Sequence, residues 1–205
     1  MSKLANTACP KCHGARHVPG QNGAWARCEC VVAEAKMISY RAAGVDEVYL
    51  SGKTELYRIR GIVGANLKVD GSRLLIWLRG PKFGEYRSKT AAWVLRSGVD
   101  AGLLSRRVSL REGIEAKFDR DHWSDWVRDI ETARVLVADL DMLSHKFIPE
   151  VLGLLWSTRS AMRATTVFVS EIDLGVADGF CGPSLSRVFA SSKELTRLST
   201  FRSNP

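Results

Sequence analysis

Four of the five cysteines fall within 22 residues, as Cys9-x2-Cys12, a gap of fifteen residues, then Cys28-x-Cys30. Clustered thiols pair as disulfides in an oxidising compartment or hold a soft metal in a reducing one. Four thiolates on two short knuckles suit zinc, which takes sulfur ligands tetrahedrally. Pro10, Gly14, Pro19, Gly20 and Gly23 supply the turns of a ribbon that presents them. Lys11, Arg16 and Arg27 are placed to offset part of the tetrathiolate charge. His13 and His17 are rival ligands, since sites of three cysteines and one histidine occur. The expected set is nevertheless Cys9, Cys12, Cys28 and Cys30. Such a metal folds a module too small for a core of its own. Whether the module meets DNA or protein is not written in these residues. Cys181, alone and distant, reads as a small buried side chain.

A second stretch concerns phosphate. "GPKFGEYRSKT" (80–90) follows the apolar run "LLIWL" and leads into "AAWVL". Strand, glycine-bearing loop, Lys-Thr and helix is the order of a phosphate-cradling P-loop. The spacing departs from it. Counted back from Lys89, the two glycine positions hold Phe83 and Ser88. Glycine lets backbone N–H groups approach a phosphate closely, and Glu85 adds negative charge beside the anion.

The elements that must position these residues alternate along the chain. Apolar runs at 74–78, 135–138 and 165–169, with a weaker one at 106–110, are separated by helical patterns at about 90–103, 111–117, 121–132 and 145–163. That alternation predicts an α/β fold with a mainly parallel sheet flanked by helices, which binds ligands at the carboxyl ends of its strands. Residues 31–44 predict a helix ending at Gly44. In "DHWSDWVRDI", Trp123, Trp126, Val127 and Ile130 share one helical face and are expected to pack onto the sheet. The domain division expected is 1–32 for a zinc module, 33–73 for a helix and linker, and 74–205 for the α/β body.

Composition sets outer bounds. Hydrophobic residues make up 45% of 205, enough for a buried core in one medium domain. No stretch reaches the roughly 18 consecutive apolar residues of a membrane span, and "MSKLANTACPKC" lacks the apolar centre of a signal peptide. The expected location is cytoplasmic, with no membrane partner. The net charge of +8 favours nucleic acid or nucleotide phosphates as company. Arg79, Arg87, Arg106, Arg107, Arg159, Arg163, Arg187 and Arg202 are expected near the functional loops.

Taken in order, the CxxC…CxC ribbon, "RAAGVDEVYLSGKTE", "LLIWLRGP…SKTAAWVL", "ARVLVADLD", "TTVFVSEIDL" and "LSRVF…STFRS" resemble the DnaC/DnaI-type AAA+ replicative helicase loaders and the related IstB-type transposition ATPases. The resemblance runs over nearly the whole chain as a series. It implies a zinc-bearing module that grips a hexameric replicative helicase, ahead of an AAA+ core that binds ATP and single-stranded DNA. By the same resemblance Gly80, Gly84, Ser88, Lys89 and Thr90 form the phosphate loop. Lys89 would meet the β- and γ-phosphates, and Thr90 the magnesium. Asp139 takes the Walker B place. Arg187 becomes an arginine finger aimed at the site of a neighbouring copy, and Arg202 a second phosphate sensor.

The catalytic positions depart from the family. Leu140 stands where a second acid positions the attacking water, with Asp141 one place late. Ser170-Glu171 replaces the usual Ser/Thr-Asn sensor. Three departures at one centre point to relaxed catalysis, with Asp141, Glu171 and Arg187 as the candidate catalytic residues. The first expectation is a helicase-loader-like assembly protein, of phage or mobile-element type, binding ATP or ADP with magnesium but hydrolysing it weakly or not at all. The alternatives are an active ATPase loader, an IstB-like transposition helper, and a zinc-ribbon nucleic-acid-binding protein that ignores nucleotide.

Overall fold

The computed structural model describes residues 9–20, 22–50, 74–79, 85–141, 145–162, 164–170 and 195–198. Strands β1 (His17–Pro19) and β2 (Trp25–Arg27) form a small antiparallel hairpin. Helix α1 (Glu29–Ala42) follows at once, with Cys28 as its N-cap. The module boundary expected at residue 32 thus falls inside a helix. α1 stops where Gly44 takes φ +86°, a conformation cheap only for glycine. A 3-10 turn, Glu47–Tyr49, comes next.

The four apolar runs become β3 (Leu74–Arg79), β4 (Ser105–Ser109), β5 (Val135–Leu140) and β6 (Thr165–Ser170). The short β7 (Leu195–Leu198) joins them. Between them lie α2 (Glu85–Asp100), α3 (Leu110–Ala116), α4 (Arg120–Thr132) and α5 (Ile148–Ala161). The sheet order is β4-β5-β6-β3-β7 and every pairing is parallel. This is the α/β architecture that the alternating pattern predicted, with β3 inserted between the last two strands, β6 and β7.

Parallel strands covered on both faces read as continuous apolar runs, and β5 and β6 are buried almost throughout. Their alternate residues feed two cores. Val135 and Val137 of β5 and Val167 and Val169 of β6 pack with Ala91, Ala92, Val94 and Leu95 of α2, joined by Tyr40 of α1. Leu136, Ala138 and Leu140, with Phe168, pack with α3, α4 and α5 on the opposite face. Trp126 and Ile130 are buried there and Trp123 and Val127 pack against them, as the helical spacing implied.

Local signals fix the helix ends. Ser109 and Glu112 form a reciprocal capping box on α3, and Asp119 accepts from the N–H groups of Asp121 and His122 to cap α4. α1 is fastened to α2 through Tyr40, whose hydroxyl donates to Asp100 at 2.6 Å. The Arg96 guanidinium lies 4.8 Å from the Tyr40 ring centroid and donates to the Tyr49 carbonyl at 2.7 Å.

α2 runs so close to the sheet that a Cβ on Gly98 would collide with Ser105 Oγ and come within 2.9 Å of Val135 Cγ2. Gly98→Ala is therefore expected to cost about 1–3 kcal/mol by overpacking. A lowered urea midpoint with an unchanged slope is the readout.

Candidate metal centre and nucleotide rim

The thiols converge although they come from segments 16 residues apart at their nearest. The first knuckle reverses sharply. His13 N–H donates to the Cys9 carbonyl at 2.7 Å and Ala15 N–H to the Cys12 carbonyl at 2.8 Å, with His13 (φ 47°), Gly14 (φ 88°) and Arg16 (φ 63°) in the left-handed region. Cys28 N–H then donates to the Arg16 carbonyl at 2.8 Å, tying the second knuckle to the first. Cys28 is the N-cap of α1 and Cys30 lies in its first turn.

Zinc–sulfur bonds of about 2.3 Å in a tetrahedron set sulfur–sulfur edges of about 3.8 Å. The Cys9–Cys28 separation is 3.8 Å and the Cys12–Cys30 separation 3.6 Å, and all four sulfurs lie within 4.8 Å of one another. The residues present therefore fit a metal ion of that size. Neither histidine is in the group: His17 Nδ1 lies 3.4 Å from the Ala15 carbonyl oxygen. Backbone N–H groups of Cys12 and Lys11 bring the Cys9 thiol down to about 7. Burial, with hydrogen bonds that its S–H donates towards Cys28, Cys12 and Cys9, pushes Cys30 up to about 12. One thiol of the set gives up its proton readily and another resists, as expected where four sulfurs share a space that a cation would neutralise. Lys11 and Arg16, expected to serve the sulfur charge, pair with Glu29 and Glu34 along α1.

The second candidate lies on the sheet. β3 ends at Arg79, and α2 covers the face that carries Val135, Val137 and Asp139 of β5. Register pairs Asp139 with Val169 of β6, and Val169 with Leu78 of β3. Asp139 and the first turns of α2 thus share one face and the carboxyl rim, where parallel sheets hold ligands. Gly80 and Gly84 lie outside the described residues, as do Glu171, Arg163, Arg187, Arg202 and Cys181.

What the described residues do at that rim is unlike a phosphate loop. α2 begins at Glu85, so Lys89 and Thr90 lie past the first four amides that a helix leaves unpaired. Their N–H groups belong to the helix ladder. Thr90 is buried and Ser88 and Lys89 are half-buried.

Asp139 is engaged. Arg107 Nε donates to its Oδ2 at 2.6 Å, and Nη2 to its Oδ1 at 3.4 Å. Nη1 of the same guanidinium donates to Asp46 Oδ2 at 2.9 Å. Burial alone lowers the pKa of Arg107, but the hydrogen bond and charge of Asp139, then of Asp46, more than reverse this and leave it raised. A magnesium ion needs carboxylate oxygen at about 2.0–2.1 Å with open approach. Asp139 does not offer that, so its surroundings do not fit the ion.

Asp141 lies just past β5, whose last residue is Leu140, and accepts from Arg111 N–H at 3.0 Å near the start of α3. Arg106 pairs with Asp129 at 3.2 Å. Arg159, expected beside the functional loops, is instead fully buried in the far core. Arg107 was expected near the functional loops, but no motif tied it to Asp139. Only the register of β4 on β5, which sets Arg107 opposite Val137 and diagonal to Asp139, brings it to the site.

No protein-family model matches the chain, and no curated protein matches it in sequence. Among solved structures, a crystal structure of the DnaC helicase loader aligns with 71% of this chain and 88% of its own, at 14% identity and a TM-score of 0.43. At that identity the likeness says nothing of activity.

Proposed function

We propose that the chain is a helicase-loader-like assembly factor. Its zinc module grips a hexameric replicative helicase, and its α/β body is a degenerate AAA+ domain that contacts single-stranded DNA or nucleotide with weak or no hydrolysis. The ordered series of motifs supports the loader reading. The observation that carries the loss of hydrolysis is the engagement of both Asp139 oxygens by Arg107. The helical pairing of the Lys89 and Thr90 amides points the same way.

The gripping surface is the hairpin. Trp25 and Arg27 project from one face of β2, opposite Pro19 and His17 of β1, and all four are exposed. Trp25 is 73% exposed, and large aromatic and arginine side chains of this kind dominate interfaces. In a pull-down of the cognate hexameric helicase, the full chain is expected to form a complex that Trp25→Ala weakens by about 2 kcal/mol or more. No complex with the intact chain would overturn the loader reading.

Hydrolysis is read separately by steady-state phosphate release with and without single-stranded DNA. Turnover is expected about two to four decades below that of a competent site and unchanged by Lys89→Ala. Robust turnover that Lys89→Ala abolishes would restore the active-ATPase reading.

A further inference from the structure

We propose that Arg107 takes the place of a divalent cation at Asp139, so that the carboxyl rim of this sheet works without a metal ion. The inference rests on the reading of Asp139 as the rim's metal-side acid, and goes beyond it to the group that replaces the metal. Three donors of one guanidinium are spent on two carboxylates: Nε and Nη2 on Asp139, Nη1 on Asp46. The Arg107 and Asp139 side chains are only 21% and 26% exposed, so this pair is not a solvent-screened surface contact. A planar guanidinium against a carboxylate offsets its charge and donates to both its oxygens, here at 2.6 and 3.4 Å. A metal would have to displace it and then tolerate a stranded positive group alongside.

Arg107 is also poorly placed to leave. Its stem lies under the backbone of Gly44, where an added Cβ would come within 2.7 Å of Arg107 Cβ. Its strand is fixed by pairing with β5. Moving it would break the contact with Asp46, next to the 3-10 turn that follows α1. Two carboxylates therefore converge on one organic cation. Removing that cation leaves a pair of oxygen ligands of the kind that hard divalent metals bind.

The test uses the full-length, zinc-loaded chain and Mn2+ alone as the probe, without nucleotide, DNA or helicase. Its outcome is thus independent of the loader reading. Bound Mn2+ is counted by electron paramagnetic resonance. The wild type and Asp139→Asn are expected to bind Mn2+ equally. Arg107→Ala is expected to gain one site about tenfold tighter than any in the wild type, lost again in the Arg107→Ala/Asp139→Asn double variant. Wild-type binding that Asp139→Asn removes would overturn the proposal, as would an Arg107→Ala variant that is folded but gains nothing. Should the variants fail to fold by circular dichroism, the wild type decides by NMR. Amide signals of residues 138–141 are expected to keep their intensity as Mn2+ is added, and selective broadening there overturns the proposal.

Discussion

Cys28→Ser, or a chelator strong enough to empty the four-thiol site, is expected to unfold residues 9–32 while leaving the parallel sheet standing. The hairpin strands are three residues each, and all but Val18 of their side chains are exposed. Among the described residues from 9 to 32, the only buried side chains are Cys12 and Cys28. Such a segment has no apolar core with which to offset its ordering entropy. Metal binding is then its folding free energy, on the order of 10–16 kcal/mol for structural zinc sites. The tyrosine-bearing end of α1 has its own attachment through Asp100 and Arg96 and is expected to stay. The measurements are zinc stoichiometry by mass spectrometry, one per chain, and hydrogen exchange before and after chelation. Hairpin amides that keep their protection without metal would refute the expectation.

The second large effect lies in the opposite core. Arg159 on α5 is 0% exposed and has no carboxylate partner among the described residues. Its donors instead reach the carbonyls of Ile130 at 3.0 Å, Ala133 at 2.6 Å and Thr165 at 3.1 Å, and the Thr166 hydroxyl at 2.9 Å. Burial and the nearby Arg134 lower its pKa to about 10, which still leaves it charged at neutral pH. The side chain gathers the carboxyl end of α4 and the start of β6, and the helix dipole there favours a cation.

Arg159→Ala removes the donor shared by three buried carbonyls and a hydroxyl, and each buried polar group left unsatisfied costs about 1–3 kcal/mol. A comparable fall in unfolding free energy by urea titration is expected. Arg159→Lys is expected to recover little, because a point charge cannot span four acceptors. A loss below about 1 kcal/mol for Arg159→Ala would show that water takes over the acceptors.

How much of this was legible beforehand differs by element. "VLVA" and "TTVFV" announced their strands because buried parallel strands have no polar face to hide them, and the apolar run "LLIWL" announced a third. "LTRL" (195–198) announced nothing, since four mixed residues carry no period. The cysteine spacing picked out the four thiols that the fold brings together as a candidate metal site. The Arg107–Asp139 contact was not legible: 32 residues separate its partners, and strand register, which no local motif encodes, makes them neighbours. Arg159 did leave a trace. Ile148, Leu152, Leu155 and Arg159 follow one helical stripe, so the arginine stands where an apolar core residue belongs. Counting it with the polyanion-facing arginines ignored that position.

The way α1 is held at both ends has a mechanical consequence. Its N-cap and first turn carry Cys28 and Cys30 and its last turn carries Tyr40, about 15–18 Å away at 1.5 Å per residue. A module on a slack tether would swing independently of the body behind it. Here the span is a stiff rod, set against the four-thiol cluster at one end and held by a tyrosine–aspartate bond at the other. Torque applied to the hairpin therefore arrives at the Arg96–Asp100 end of α2 instead of dissipating in a linker.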